Sequence, residues 1–284
     1  MSGLIHPFKT ALTFLVLAGM LLLSKSCHPQ KRLAKESLSV FKPPAVLVLF
    51  PDFVFKKNDK PLDMSGLDTL NEDQLDSVRY YNSHFIQYIQ DSQLVTGLAD
   101  ALVDELQQYG FDVFIENDLD SFFRMDRPAY VFSLAQAELE EGNEMVTESD
   151  VFDDTLLYYK QFDLRFVRLN LWYEINPVNA GEEKPGVYFC SFFVQDRLKG
   201  RFWRHPLFLE VDYKYRLLEV RPEDVYGLAS YAGGRSASYL FDHFFNRFHR
   251  SRVMADSSHA YWHYNRLTNS IRPAGENRFV PAGE

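Results

Sequence analysis

Apolar and polar positions change period several times along the chain, and each period predicts a different element. Ala45-Val46-Leu47-Val48-Leu49-Phe50 is a continuous apolar run between Pro44 and Pro51, the pattern of a fully buried strand. Lys56 to Asp68 is polar and turn-rich. Asn71 can then cap a helix through about Gln90, with Leu75, Val78, Tyr81/Asn82, Phe85, Ile86 and Ile89 at helical spacing. Leu94, Leu98, Ala101, Leu102, Leu106 and Tyr109 predict a second helix, which Gly110 ends. Phe111 to Ile115 alternates as a strand.

Four further strands follow with no helix between them. They are Ala129–Leu139, Phe162–Ile175, Val187–Val194 and Phe202–Val220, the last broken near Pro206. Strands joined by loops favour antiparallel pairing, with one wet face where alternation is clean. Pro222 opens helical sequence to about Arg252, with a kink or a division into two helices expected at Gly233-Gly234. Asp256-Ser257-Ser258 can cap a short helix through Leu267. The pattern therefore predicts an α+β fold, a mostly antiparallel sheet with helices packed on one face. The opening strand–helix–helix–strand order would also suit a parallel sheet, but the later run of strands argues against that.

The amino terminus carries a different signal. Ala11 to Leu23 is unbroken apolar sequence, and its 13 residues span about 20 Å at a rise of about 1.5 Å each, short of the ~30 Å bilayer core. It reads as the apolar region of a signal peptide. Leu22-Leu23-Ser24-Lys25-Ser26-Cys27 follows. Small residues before a lone cysteine resemble the lipobox of bacterial lipoproteins, although Leu23 lies one step further from the cysteine than is usual. The resemblance implies diacylglycerol on Cys27, cleavage before it by signal peptidase II and acylation of the new amino terminus. An ordinary secretory signal with a chance cysteine, or an uncleaved anchor, is the other reading of the run. Each buried CH₂ contributes about 0.8 kcal/mol, so two or three chains anchor a protein effectively permanently.

These signals divide the chain into a signal peptide (1–26), a lipidated tether (27–44), one α+β domain (45–271) and a loose tail (272–284). The tether holds Lys31, Arg32, Lys35 and Lys42 against Glu36 alone, and is expected to be mobile with its bases against lipid phosphates. The resemblance carries an address too. No Asp follows Cys27 and no acidic cluster follows it, which favours the periplasmic face of the outer membrane.

Composition narrows the function classes. The chain has 284 residues, 46% hydrophobic and 24% charged, with a net charge of −9, which suits a folded core and disfavours a nucleic-acid partner. The charge is uneven: residues 45–155 carry 24 acids and 6 bases, while 156–284 carry 14 acids and 18 bases. Arg197, Lys199, Arg201 and Arg204 cluster, as do Arg247, Arg250 and Arg252. Either patch can meet phosphate head groups or an acidic partner.

Candidate chemistry is sparse. Phosphate-loop, dinucleotide, nucleophile-elbow, His-Glu-x-x-His and Cys-x-x-Cys motifs are all missing. His259 and His263 share a helical face if that segment is helical, with Asp242, His243 or His249 as further metal ligands; aromatic packing is the competing reading. Asp150, Asp153 and Asp154 form an acidic loop without the calcium-loop pattern. Ser236 beside Gly233-Gly234 lacks a recognisable base. Cys190, the one thiol left if Cys27 is lipidated, sits in an apolar run and reads as a core residue.

No catalytic, cofactor or metal residue is therefore assigned, and Cys27 is the single site residue. The expectation is a non-enzymatic accessory or assembly subunit of an outer-membrane transport or secretion system, with a membrane anchor and an envelope protein partner. At fold level the layout is similar to auxiliary lipoproteins of envelope lipid-transport systems. An anchored metal-dependent hydrolase and a periplasmic lipid- or hydrophobe-binding lipoprotein are the alternatives.

Overall fold

The computed structural model describes residues 29–61, 70–152, 156–178, 184–206, 210–253, 260–274 and 279–282. Its elements in chain order begin with α1 (Pro29–Val40), β1 (Ala45–Leu49), β2 (Phe55–Asn58), α2 (Glu72–Tyr81), α3 (Asp91–Gln108), β3 (Asp112–Phe114) and α4 (Leu119–Phe123). Next come β4 (Ala129–Phe152), β5 (Leu156–Val178), β6 (Gly186–Gln195), β7 (Arg197–Arg204) and β8 (Val211–Leu218). The chain ends with α5 (Pro222–Arg252), β9 (Trp262–Asn265), β10 (Ser270–Pro273) and β11 (Val280–Pro281). Two compact units result, Pro44–Leu240 with Arg278–Glu284, and Met1–Pro43 with Phe241–Asn277. No described helix is long and apolar enough to cross a membrane.

The larger unit is α+β with a mostly antiparallel sheet, ordered β11-β6-β5-β4-β1-β3, with β2 paired to β4. β1 runs parallel to β3 and β4, which closes the opening strand–helix–helix–strand segment onto the sheet. β4 is the central strand, and Ala135 is an extra residue between the pairs Leu134↔Tyr173 and Gln136↔Trp172. This bulge resets the alternation, so Tyr130, Phe132 and Leu134 before it share the core face with Ala137, Leu139 and Glu141 after it. Val167, Leu169, Leu171 and Tyr173 of β5 are fully buried on that same face.

Helices cover this face because their apolar residues recur every turn. Leu94, Leu98, Leu102 and Leu106 line α3 at four-residue spacing and are all buried. α5 passes so close to α3 that a Cβ on Gly233 would lie 2.2 Å from the Leu98 carbonyl oxygen and 3.0 Å from the Leu102 nitrogen. The helical sequence is not divided in two at Gly233-Gly234: Gly233 serves close helix packing and α5 is one continuous helix. Gly233→Ala is expected to lower stability by about 1–3 kcal/mol through overpacking, measurable as an earlier denaturant midpoint. On the opposite face, Phe122 of the short α4 packs with Ala45, Leu47 and Ala129.

Several boundaries differ from the sequence reading for identifiable reasons. Asn71 does cap α2, with Gln74 returning the hydrogen bond. The helix stops at Tyr81 rather than Gln90 because the Glu141 carboxylate collects the next amides. Its Oε1 accepts from His84 N at 2.7 Å, and its Oε2 from Phe85 N at 2.8 Å and Ile86 N at 3.2 Å. Lys60 completes the cluster with an ion pair to Oε1. β2 forms within the segment read as turns, parallel to Glu138–Glu141. Within the segment read as a loose tail, Phe279 is buried among the rings of Phe132, Tyr173, Tyr188 and Tyr239, and Val280-Pro281 pairs with β6.

The smaller unit corrects two more expectations. The segment read as a mobile tether contains α1, with Ala34 and Ser37 buried, and Phe41 just beyond it packs on Phe241, Phe245 and Phe248 of α5. Trp262–Asn265 is a strand paired with Ser270–Pro273 rather than part of a helix. Side chains on α5 dictate this. Asn246 accepts from Trp262 N and donates to Trp262 O, both at 2.7 Å, while Asp242 accepts from Tyr264 N at 2.9 Å. These bonds pair the β9 backbone with a helix surface, so it cannot close helical turns of its own.

Candidate interaction surface

The most distinctive feature of the larger unit is an arm. β4 and β5 pair continuously from Ala129↔Val178 to Phe152↔Leu156, whereas β6 accompanies β5 only between Phe166 and Ile175. From Asn143↔Arg165 outward the two strands pair with each other alone, over about 33 Å at about 3.3 Å per residue. Along this stretch the core face of the sheet continues past its helices. It presents Met145 at 61% exposure, Val151 at 57%, Leu157 at 64% and Tyr159 at 70%. The cross-strand pairs Val151↔Leu157 and Ser149↔Tyr159 place these residues on one side.

A second hairpin, β7–β8, covers the other side of the arm. Its inward residues Phe202, Tyr213 and Tyr215 form an aromatic cluster with Phe162 of β5, at ring-centre separations of 4.7–5.3 Å. Gly200 lacks the side chain that would strike the Tyr213 ring. Lys160 lies over Tyr215 at 5.5 Å. Burial, and then the charge of Glu148 on the arm, raise the pKa of Tyr213 above its ordinary value.

Asp196 fixes the root of this hairpin. It is 1% exposed and stands between β6 and β7. One carboxylate oxygen accepts from Arg165 N and Nε, both at 3.1 Å, and the other from Val220 N at 2.8 Å. Arg165 also pairs with Glu219 at 2.9 Å. The residues just before β7 and just after β8 are thereby tied to the same point on β5.

The outward face of β7–β8 is strongly basic. Alternation puts Arg197, Lys199, Arg201 and Trp203 on it from β7, and Lys214 and Arg216 from β8. Lys199 lies directly opposite Arg216, and Arg201 opposite Lys214. Lys214 Nζ is 3.7 Å from the centre of the Trp203 ring. Asp212, across from Trp203, is the acid on that face. Sequence reading found the β7 bases but missed Lys214 and Arg216, although the alternation of Asp212-Tyr213-Lys214-Tyr215-Arg216 contains the signal. Arg204 falls on the inward side of the hairpin.

The remaining sequence candidates have structural roles or lie elsewhere. Cys27, His259, Asp153 and Asp154 lie outside the described residues, and Asp150 is exposed near the end of the arm. His263 is buried with its Nδ1 2.6 Å from Asp242 Oδ2. His249 Nδ1 is 2.9 Å from Ser37 Oγ, and its ring stacks on Phe245. Burial, then the charges of Arg247 and Arg250, push His243 down to about 4. Among the described residues no three His, Cys, Asp or Glu side chains gather in a group that could hold a metal ion.

Ser236 is buried and accepts a hydrogen bond from Tyr173 OH at 3.0 Å, with Cys190 Sγ 3.9 Å away. Burial pushes the Cys190 thiol up to about 12, so it is protonated and unreactive at neutral pH. Arg247, Arg250 and Arg252 occupy the last turns of α5, where cations offset the helix dipole.

No protein-family model matches the chain, and no curated protein matches it by sequence. Among solved structures, the chain is similar to a crystal structure described as a neuraminyllactose-binding hemagglutinin homolog from Helicobacter pylori. The likeness has a TM-score of 0.30 and 8% identity, and covers 73% of this chain and 89% of that one. At that level neither fold nor function transfers.

Proposed function

We propose that the protein is a lipid-anchored cell-envelope subunit that assists the assembly or working of an outer-membrane transport or secretion system. In this reading Cys27 carries the acyl anchor, the protein sits on the periplasmic face of the outer membrane, and its role is to bind a partner rather than to catalyse a reaction. The observation that carries the proposal is the arm. Met145, Val151, Leu157 and Tyr159 extend the core face of the sheet beyond its helices and stand exposed. Large exposed apolar residues on one face of a projecting hairpin favour contact with another protein.

In-cell cross-linking followed by mild-detergent copurification tests this. A defined envelope partner is expected with the wild type, and is expected to be lost with Cys27→Ala and with Val151→Glu/Leu157→Glu. Both arm positions are exposed, so the double variant is expected to keep the wild-type denaturation midpoint within about 0.5 kcal/mol. Recovery of the wild type alone, or of the same partner with the arm variant, would refute the proposal.

A further inference from the structure

The basic face of β7–β8 lies on the other side of the arm from the apolar stripe and calls for its own explanation. Like charges directly opposite one another in a hairpin are destabilising, and here Lys199↔Arg216 and Arg201↔Lys214 are adjacent pairs of that kind. No ion pair among the described residues engages any of the five bases, and Glu219 at the root of the hairpin is already committed to Arg165. The hairpin therefore holds a repulsive charge array that an external anion would relieve.

The form of the array indicates which anion. The face is a two-stranded ribbon that carries charges at its central positions and lacks the apolar centre on which protein–protein contacts are built. Its one aromatic residue is Trp203, half-buried under Lys214. Indole rings set among Lys and Arg are characteristic of side chains at a lipid head-group layer, where the ring has both apolar and polar neighbours. A planar surface of phosphates also meets all five bases at once without needing a specific pocket.

We propose that the outer face of the β7–β8 hairpin, through Arg197, Lys199, Arg201, Lys214 and Arg216 with Trp203 among them, docks on an anionic phospholipid surface. The contact is independent of the acyl anchor and of the protein partner assigned to the opposite face.

Full-length protein, immobilised through a carboxy-terminal tag in dodecylmaltoside, can be exposed to micelles of that detergent doped with phosphatidylglycerol or with phosphatidylcholine. Binding of the phosphatidylglycerol micelles alone is expected. Lys199→Gln/Arg216→Gln is expected to weaken it about 30-fold, at about one tenfold step per 1.4 kcal/mol and about 1 kcal/mol for each base. Because that variant removes a repulsive pair, its thermal midpoint should not fall below that of the wild type, which separates lost binding from lost folding. Trp203→Ala is expected to reduce binding further at high salt, where the charge contribution is screened.

Equal binding of the two lipids, or unchanged binding by the double variant, would overturn the proposal. So would displacement by millimolar inorganic phosphate, which would indicate a single-ion site. Binding of polyglutamate in place of phosphatidylglycerol would assign the face to an acidic protein instead.

Discussion

Glu141→Ala is expected to destabilise the larger unit by about 3–5 kcal/mol, the usual cost of removing one partner from a buried ion pair. Glu141 is completely buried, and its side chain receives Lys60 and three consecutive backbone amides, His84 to Ile86. Alanine would leave those amides without an acceptor and the Lys60 ammonium without its counter-ion, and each lost acceptor exposes a desolvation cost. Urea denaturation of wild type and variant at neutral pH measures the difference.

The same residue predicts an acid-sensitive component of stability. Burial opposes ionisation of Glu141, but the Lys60 hydrogen bond and the His84 and Phe85 amides outweigh it, so its pKa lies below the ordinary 4.5. A carboxyl whose folded-state pKa is depressed contributes its full stabilisation above the unfolded value and loses it as pH falls through the folded value. Between neutral pH and about pH 5 its contribution should be constant. It should then decline on further acidification, and this decline should be missing in Glu141→Gln. Denaturation midpoints collected across that range test the sign.

Asp196→Ala is expected to cost about 3 kcal/mol, because hydrogen bonds to a charged acceptor contribute about 1.5–3 kcal/mol each and are not additive. Its effect should be local. Asp196 holds Arg165 on one side and the Val220 amide on the other, so its loss removes the carboxylate that joins both ends of the β7–β8 hairpin to β5 and leaves the Arg165–Glu219 pair as the remaining side-chain tie. Limited proteolysis is expected to cut between β7 and β8 far sooner than in the wild type. Asp196→Asn should fall between the two, since a neutral amide oxygen can still accept from one side. Unchanged cleavage in Asp196→Ala would mean that the aromatic contacts of Phe162 suffice to hold the hairpin.

Elements whose stabilising contacts are local were legible in the sequence. α3 announces itself through leucines every fourth residue, α2 through its Asn71–Gln74 capping box, and the sheet portion of β5 through alternation from Val167 to Ile175. Elements specified by distant side chains were not. The end of α2 depends on Glu141, some 60 residues later in the chain, and β9 depends on Asp242 and Asn246 reaching from a helix. Phe279 looks like part of a polar tail until Phe132, Tyr173, Tyr188 and Tyr239 are brought around it.

The outer half of the β4–β5 arm escaped notice for another reason. Thr147, Ser149 and Gln161 share a face with Met145 and Tyr159, so neither side of the ribbon is uniformly apolar and the period-two signal fades. The basic surface was half-legible. Arg197, Lys199 and Arg201 stand out in sequence, but only the β7–β8 register adds Lys214 and Arg216 and separates Arg204 from them.

The bulge at Ala135 separates where the arm points from what it carries. Ala135 has no counterpart on β5, while Leu134 and Gln136 are matched to the consecutive residues Tyr173 and Trp172. Deleting it would preserve every cross-strand pair and leave each side chain on its present face, removing only the bend and extra twist that a bulge introduces. One residue, remote from both the apolar stripe and the basic face, thus acts as an adjustable joint, and its deletion would re-aim the arm with its surface unaltered.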